Sequence, residues 1–301
     1  MDKLEDHILV IFGASGDLTR RELLPALYSI HKRGLLTEGT RILGISRSSY
    51  TDESYRKRIA ESFKEKCDPA FLSRLHYISL DPEEPRDYPS LEKKLLDLWG
   101  KGSTKRNALF YLATPPEVSS RIPVLLAEQG LNKAGKAPEK IRETGDSHYP
   151  KGFRRIIIEK PFGRDLLSAK ALNRRLLEHW EEDQIYRIDH YLGKETVQNI
   201  LVFRFANEIF ESLWNHRFVE YVEITTAEDI GIENRAGYFD NAGIVRDMIQ
   251  NHLLQVLAFT ALDPPLSFDA DSVRHETLKI FKSLRPIEEE EIGRASCRER
   301  V

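Results

Sequence analysis

The chain has little cysteine and no long apolar run. Cys67 and Cys297 are its only two cysteines among 301 residues, and they lie far apart. That spacing excludes a disulfide framework or a cysteine-built metal site and fits a reducing, cytoplasmic setting. No stretch approaches the roughly 18 consecutive apolar residues of a transmembrane helix. The first residues, Met1-Asp2-Lys3-Leu4-Glu5-Asp6, carry the wrong charge for a secretion signal, and the apolar run Ile8–Phe12 is too short for one. An excess of either charge is also missing, with 45 Lys and Arg against 48 Asp and Glu. The near balance excludes a general nucleic-acid binder and an acidic disordered tail. What remains is a soluble globular protein without nucleic-acid or membrane partners. At roughly 100–200 residues per domain, two domains are expected.

The first half alternates short apolar segments with helical ones. Ile8-Leu9-Val10-Ile11-Phe12 is continuously apolar, as in a strand buried on both faces of a parallel sheet. Leu23, Leu27 and Ile30 then recur at helical spacing and Gly34 closes the helix. Further strands are expected over Arg41–Ser46, His76–Leu80, Ala108–Thr114, Arg155–Lys160 and Ile185–Ile188. Strand and helix in this repeated order predict an α/β fold, a doubly wound parallel sheet domain. Asn132–Gly152 is polar and reads as a surface loop.

After about Asp189 the pattern changes. Helices are expected over Lys194–Phe205 and Asn241–Leu262, and the alternating Val219–Thr226 reads as a strand with one wet face. This predicts a separate α+β domain. The last residues, after Glu288–Glu291, have no apolar period and read as a foreign or frayed tail. The expected division is therefore 1–188, 189–290 and a tail over 291–301.

Five segments carry chemistry. Gly13-Ala14-Ser15-Gly16-Asp17-Leu18 follows the first strand and opens a helix, so its backbone can approach a pyrophosphate at the helix N-terminus. A plain strand-to-helix turn is the alternative. Arg47 ends the second strand where NAD-binding folds place an acid, and an arginine there favours the 2′-phosphate of NADP. Lys160, in Glu159-Lys160-Pro161-Phe162-Gly163, ends the fifth strand facing the crevice where such folds bind ligands. In Arg187–Glu195, the set His190, Tyr191 and Lys194 makes an anion site at a strand-to-helix junction. His252 sits in a largely apolar helix, either as a satisfied core residue or as a general base. No histidine or cysteine pair at ligand spacing accompanies it, so no metal is expected.

Together, GASGDL, EKPFG, RIDHYLGKE, GYFD and RDMIQNHLLQ, in this order, resemble the glucose-6-phosphate dehydrogenase family. The resemblance runs from His7 to about Ile287 and includes Leu109–Pro116. It implies an enzyme with a Rossmann-like domain followed by an incomplete α+β domain with an antiparallel sheet. The family oxidises glucose 6-phosphate at C1 to the lactone with NADP, the first step of the pentose phosphate pathway. By this resemblance, Gly13 to Leu18 and Arg20 cradle the pyrophosphate and Arg47 meets the 2′-phosphate. Tyr111 and Asp81 lie near the cofactor, and Lys160 touches cofactor and substrate. His190, Tyr191 and Lys194 bind the sugar phosphate, while Glu228 and Asp247 hold sugar hydroxyls. His252 is the base and Asp189 the carboxylate that orients it.

Three features depart from this pattern. The family usually has lysine where Arg20 and Glu22 stand, and Glu22 reverses the charge. Asp247 and His252 are five apart, about 140° around an ideal α-helix, so both reach one sugar only near a helix end or through a distortion. The chain is also shorter than the family's, and a truncated polypeptide that lacks much of the homo-oligomer interface is expected. Two alternatives stay open, a non-catalytic NADP-binding fragment and a relative of the glucose–fructose oxidoreductases.

Overall fold

The computed structural model describes residues 5–100, 106–133, 152–227, 240 and 242–286. Glu228, the tail from residue 287, and most of the loop expected over Asn132–Gly152 lie outside them. Contacts divide the chain into two compact units, Met1–Ile188 and Asp189–Val301.

The first unit is built on six parallel strands. They are β1 (Ile8–Phe12), β2 (Arg41–Ser46), β3 (Leu75–Ser79), β4 (Ala108–Leu112), β5 (Arg154–Ile158) and β6 (Ile185–Arg187), in the order β3-β2-β1-β4-β5-β6. β1 lies at the centre, in register with Arg41–Ile45 on one side and Ala108–Leu112 on the other. Its alternation explains why the sequence had to be apolar throughout. Ile8, Val10 and Phe12 enter one core with Phe110, Ile156 and Trp180. Leu9 and Ile11 enter the opposite core with Tyr55, Phe71 and Tyr77. Helices α1 (Leu24–Lys32), α2 (Asp52–Ser62), α3 (Tyr88–Trp99), α4 (Ile122–Glu128) and α5 (Leu166–Leu177) connect the strands. Each strand starts within a residue of the position expected from the sequence. β4 and β5 stop two residues sooner, where the chain leaves the ladder at Ala113 and Glu159.

In the second unit, α6 (Glu195–Phe205), α7 (Glu208–Leu213), α8 (Leu254–Ala261) and α9 (Ala270–Ser283) are helical. Val197, Phe259 and Leu262 form its small core with Ile200, Phe205, Val273 and Ile280 packed around them. The Arg204 guanidinium donates to the carbonyls of Phe259 and Leu262, both at 2.8 Å, and so caps the end of α8.

Two expectations are corrected here. Val219–Thr226 is outside any ladder, and the second unit has no strand among the described residues. Alternation supplies two faces, but a strand also needs a neighbour for its backbone N–H and C=O groups. The helix expected over Asn241–Leu262 is not uniformly α. Val245–Leu253 winds as a π-helix, and the Leu254 N–H reaches the Ile249 carbonyl five residues back.

Gly13 shows how tightly the first turn is made. Its φ is +89°, and a Cβ there would lie 2.2 Å from the Ala113 carbonyl oxygen. Both faults act together in Gly13→Ala, which should lower the urea midpoint by a stability loss of about 1–3 kcal/mol or more. An unchanged midpoint would contradict this account of the turn.

Candidate active site

The carboxyl ends of the parallel strands bring most of the first unit's expected residues to one edge. The sheet order reverses between β1 and β4, where doubly wound folds open a ligand crevice. Gly13 and Ala14 both donate their N–H to the Ile45 carbonyl at 2.9 Å, which holds the turn against the end of β2. The Gly16 N–H donates to the Gly13 carbonyl at 2.9 Å, and the Thr19 hydroxyl donates to the same carbonyl at 3.0 Å. This leaves the Ser15–Leu18 backbone at the mouth of the helix. Arg20 is exposed and paired with Asp17 at 2.8 Å, and Glu22 is exposed. Arg47 follows β2 directly and is exposed, with no acid at the strand end. Asp81 follows β3, and its carboxylate accepts from the Glu83 N–H at 3.0 Å.

Beside Lys160, Glu159 takes up a partner on the neighbouring strand. The Tyr111 hydroxyl, on β4, donates to Glu159 Oε1 at 2.5 Å, just beyond β5. Burial, then the bond to Glu159 and its charge, push the phenol well above its ordinary range, so it stays a donor. Lys160 follows Glu159 and joins Pro161 through a cis peptide. Gly163 then turns with φ +81°, where a Cβ would meet the Ala169 nitrogen at 2.4 Å. The only signal for Glu159 was its place beside the lysine in the EKPFG segment.

The second unit assembles a compact set around His252. This imidazole is fully buried, and its Nδ1 lies 2.6 Å from Asp189 Oδ1. The same oxygen accepts the Tyr191 N–H at 2.9 Å, as the cap of the short turn His190–Gly193. Burial pushes the Asp189 carboxyl up. The bonds from His252 and the Tyr191 N–H, with the nearby imidazoles of His252 and His190, outweigh that, and it titrates below the ordinary carboxylate value. An ionised carboxylate accepts only, so Nδ1 carries the proton and Nε2 is the basic nitrogen. The Tyr191 ring lies parallel to the imidazole at 4.1 Å and the His190 ring at 4.5 Å. Lys194 Nζ stands 3.6 Å from the Tyr191 ring centre. Asp247 is buried in the same π-helix as His252, five residues before it. Bonding between residues five apart brings such residues onto one side, which removes the conflict an α-helix would pose.

Asp189, His190 and His252 each offer a possible ligand atom within 4.8 Å of the others. Their ring geometry does not suit one metal ion. A metal lies in the plane of each imidazole it binds, and the two rings are stacked only 17° from parallel.

A family model described as "Glucose-6-phosphate dehydrogenase, NAD binding domain" matches residues 10–199, and one for the C-terminal domain of the same enzyme matches residues 201–299. The chain belongs to the glucose-6-phosphate dehydrogenase family. The glucose-6-phosphate 1-dehydrogenase of Aggregatibacter actinomycetemcomitans is 45% identical over 296 residues, which cover 96% of this chain and 57% of that one. The Treponema pallidum enzyme is 44% identical and covered to 56%. A solved glucose-6-phosphate dehydrogenase in complex with its substrate glucose 6-phosphate superposes with a TM-score of 0.82 at 36% identity, over 95% of this chain and 57% of that one. The chain thus spans about 57% of the length of the dehydrogenases it matches.

The depressed Asp189 pKa makes a signed prediction. The carboxylate stabilises the folded chain above the unfolded carboxyl value of about 3.9, and this is lost as pH falls through the lower folded value. Asp189→Asn should therefore be less stable at neutral pH by on the order of 1–3 kcal/mol. The gap from the parent should close below about pH 4. Denaturant midpoints across that range test this, and a gap independent of pH would contradict it.

Proposed function

We propose that the protein is an NADP-dependent glucose-6-phosphate dehydrogenase, oxidising glucose 6-phosphate at C1 to 6-phosphogluconolactone. The observation that carries the reading is the buried His252, held by Asp189 within the His190, Tyr191 and Lys194 set. The first unit's residues fit the cofactor. Gly13 has no room for a side chain, so the backbone itself lines the turn, and Arg47 is free to meet a 2′-phosphate. NADP when bound accepts the hydride. Ser15 to Leu18 hold its pyrophosphate against the helix N-terminus. Tyr111 and Asp81 border the same crevice, and Lys160 serves cofactor and sugar.

His252 Nε2 takes the proton of the C1 hydroxyl as C1 becomes a carbonyl carbon, a contribution of roughly 10²–10⁴-fold. Asp189 keeps the imidazole in the required tautomer and stabilises its cationic form. His190 and Lys194 bind the phosphate, whose remote binding energy aligns C1. Asp247 and Glu228 are assigned to sugar hydroxyls. A homo-oligomer and cytoplasmic residence go with this reading.

One observation favours a second reading, a non-catalytic NADP-binding polypeptide. The Val219–Thr226 segment lacks a ladder partner among the described residues. Following the absorbance of reduced nicotinamide with glucose 6-phosphate and NADP, beside direct NADP binding, separates the two. Turnover supports the dehydrogenase, and binding alone supports the second reading.

Within the first reading, His252→Gln should lower kcat by roughly 10²–10⁴-fold with NADP binding unchanged. Parental turnover would return His252 to the role of a core residue. Arg47→Ala should raise the Kd for NADP and leave that for NAD nearly unchanged. Equal losses for both would remove Arg47 from the 2′-phosphate site.

A further inference from the structure

We infer that Tyr77 is a positioning residue for Arg47, and that it thereby sets how strongly the chain prefers NADP to NAD. Arg47 stands where support from the sheet runs out. Pairing of β2 with β3 ends at Ser46, whose carbonyl accepts the Leu80 N–H at 3.0 Å. Arg47 and Ser48 lie beyond the ladder, and the Arg47 side chain is exposed. A backbone held in place before the ligand arrives lowers the ordering cost of binding, so what grips this turn bears on affinity.

The Tyr77 hydroxyl, reaching over from β3, spans the position. It donates to the Ser48 carbonyl at 2.6 Å, with the Ser46 carbonyl a more distant acceptor at 3.3 Å. The Ser46 hydroxyl lies 2.6 Å from the same phenol oxygen. A phenol has one proton, so with that proton on Ser48 the Ser46 hydroxyl is the donor of this second bond. One oxygen therefore holds the residue on each side of Arg47. Ser46 Oγ also accepts the Ser48 N–H at 3.3 Å, which closes the turn. The phenol is itself a fixed support. Tyr77 is buried, with its ring centre 4.7 Å from that of Tyr55 and 5.4 Å from that of Tyr50. On its far side the gripped turn meets the glycine turn, with the Ser48 hydroxyl 3.4 Å from that of Ser15. Tyr77 thus sets Arg47 relative to the backbone assigned to the pyrophosphate. The two phosphate sites serve one cofactor, so their spacing has to be held.

The inference rests on the reading of Arg47 as the 2′-phosphate residue, and its test tells the two apart. Binding of NADP and of NAD to the full chain is measured by calorimetry, which needs no turnover. Tyr77→Phe keeps the packed ring and removes the hydroxyl alone. It should raise the Kd for NADP by roughly three- to tenfold, the fold-change of one ordinary hydrogen bond, and leave that for NAD nearly unchanged. A general loosening of the fold would weaken both cofactors alike. In an Arg47→Ala background, Tyr77→Phe should cost NADP binding nothing further, because the group it positions is gone. An unaltered ratio of the two constants in Tyr77→Phe, or the same loss in both backgrounds, would overturn the inference. Should Tyr77→Phe not fold, Ser46→Ala decides it. That change removes the hydroxyl that anchors the phenol and receives the Ser48 N–H, so the ratio should move in the same direction, and an unmoved ratio overturns the inference. Failure of the underlying reading shows separately. If Arg47→Ala leaves the preference for NADP intact, the 2′-phosphate role fails and takes the inference with it.

Discussion

One carboxylate oxygen organises the chemistry of the second unit. Asp189 Oδ1 accepts two N–H groups, one from the His252 imidazole and one from the Tyr191 backbone. The first fixes the tautomer of a buried imidazole. The second closes the turn that presents His190, Tyr191 and Lys194. Burial alone would favour a neutral acid, and the two donors tip the balance toward the ion. A neutral acid would accept both N–H groups more weakly, and its own proton would need a further acceptor.

The parallel sheet was legible because burial on both faces forces continuous apolar runs, and these stand out as Ile8–Phe12 and Ile156–Ile158. Strand ends were less legible. Ala113 continues the apolar character of β4 and Thr114 has high strand propensity, while the ladder stops at Leu112. The candidate segments GASGDL and EKPFG stood out because they follow strand ends, where doubly wound folds bind ligands, and the structure places both directly after a strand. The roles proposed for Asp189, Tyr111 and Asp81 came only with the family resemblance. Nothing local distinguishes an orienting carboxylate from a surface one, and the partner of Asp189 is 63 residues away.

Other features were hidden for physical reasons. A π-helix has no distinct apolar period in a segment of nine residues, so the Asp247–His252 spacing looked like a conflict until the winding was seen. The Tyr111–Glu159 bond joins β4 to the residue just after β5, far apart in sequence, and register cannot be read from composition. The expected strand at Val219–Thr226 shows the opposite error. Its alternation was clear, yet pairing depends on a neighbour that its own residues do not specify.

The central claim is that His252 is a base oriented by an ionised Asp189. Imidazole nitrogen chemical shifts of His252, assigned with His252→Gln, test it most directly. The account predicts a neutral imidazole with its proton on Nδ1 and a lone pair on Nε2, changing to the opposite tautomer in part or whole in Asp189→Asn. A proton on Nε2 in the unmodified chain would contradict it, since that nitrogen could then accept nothing from a substrate hydroxyl.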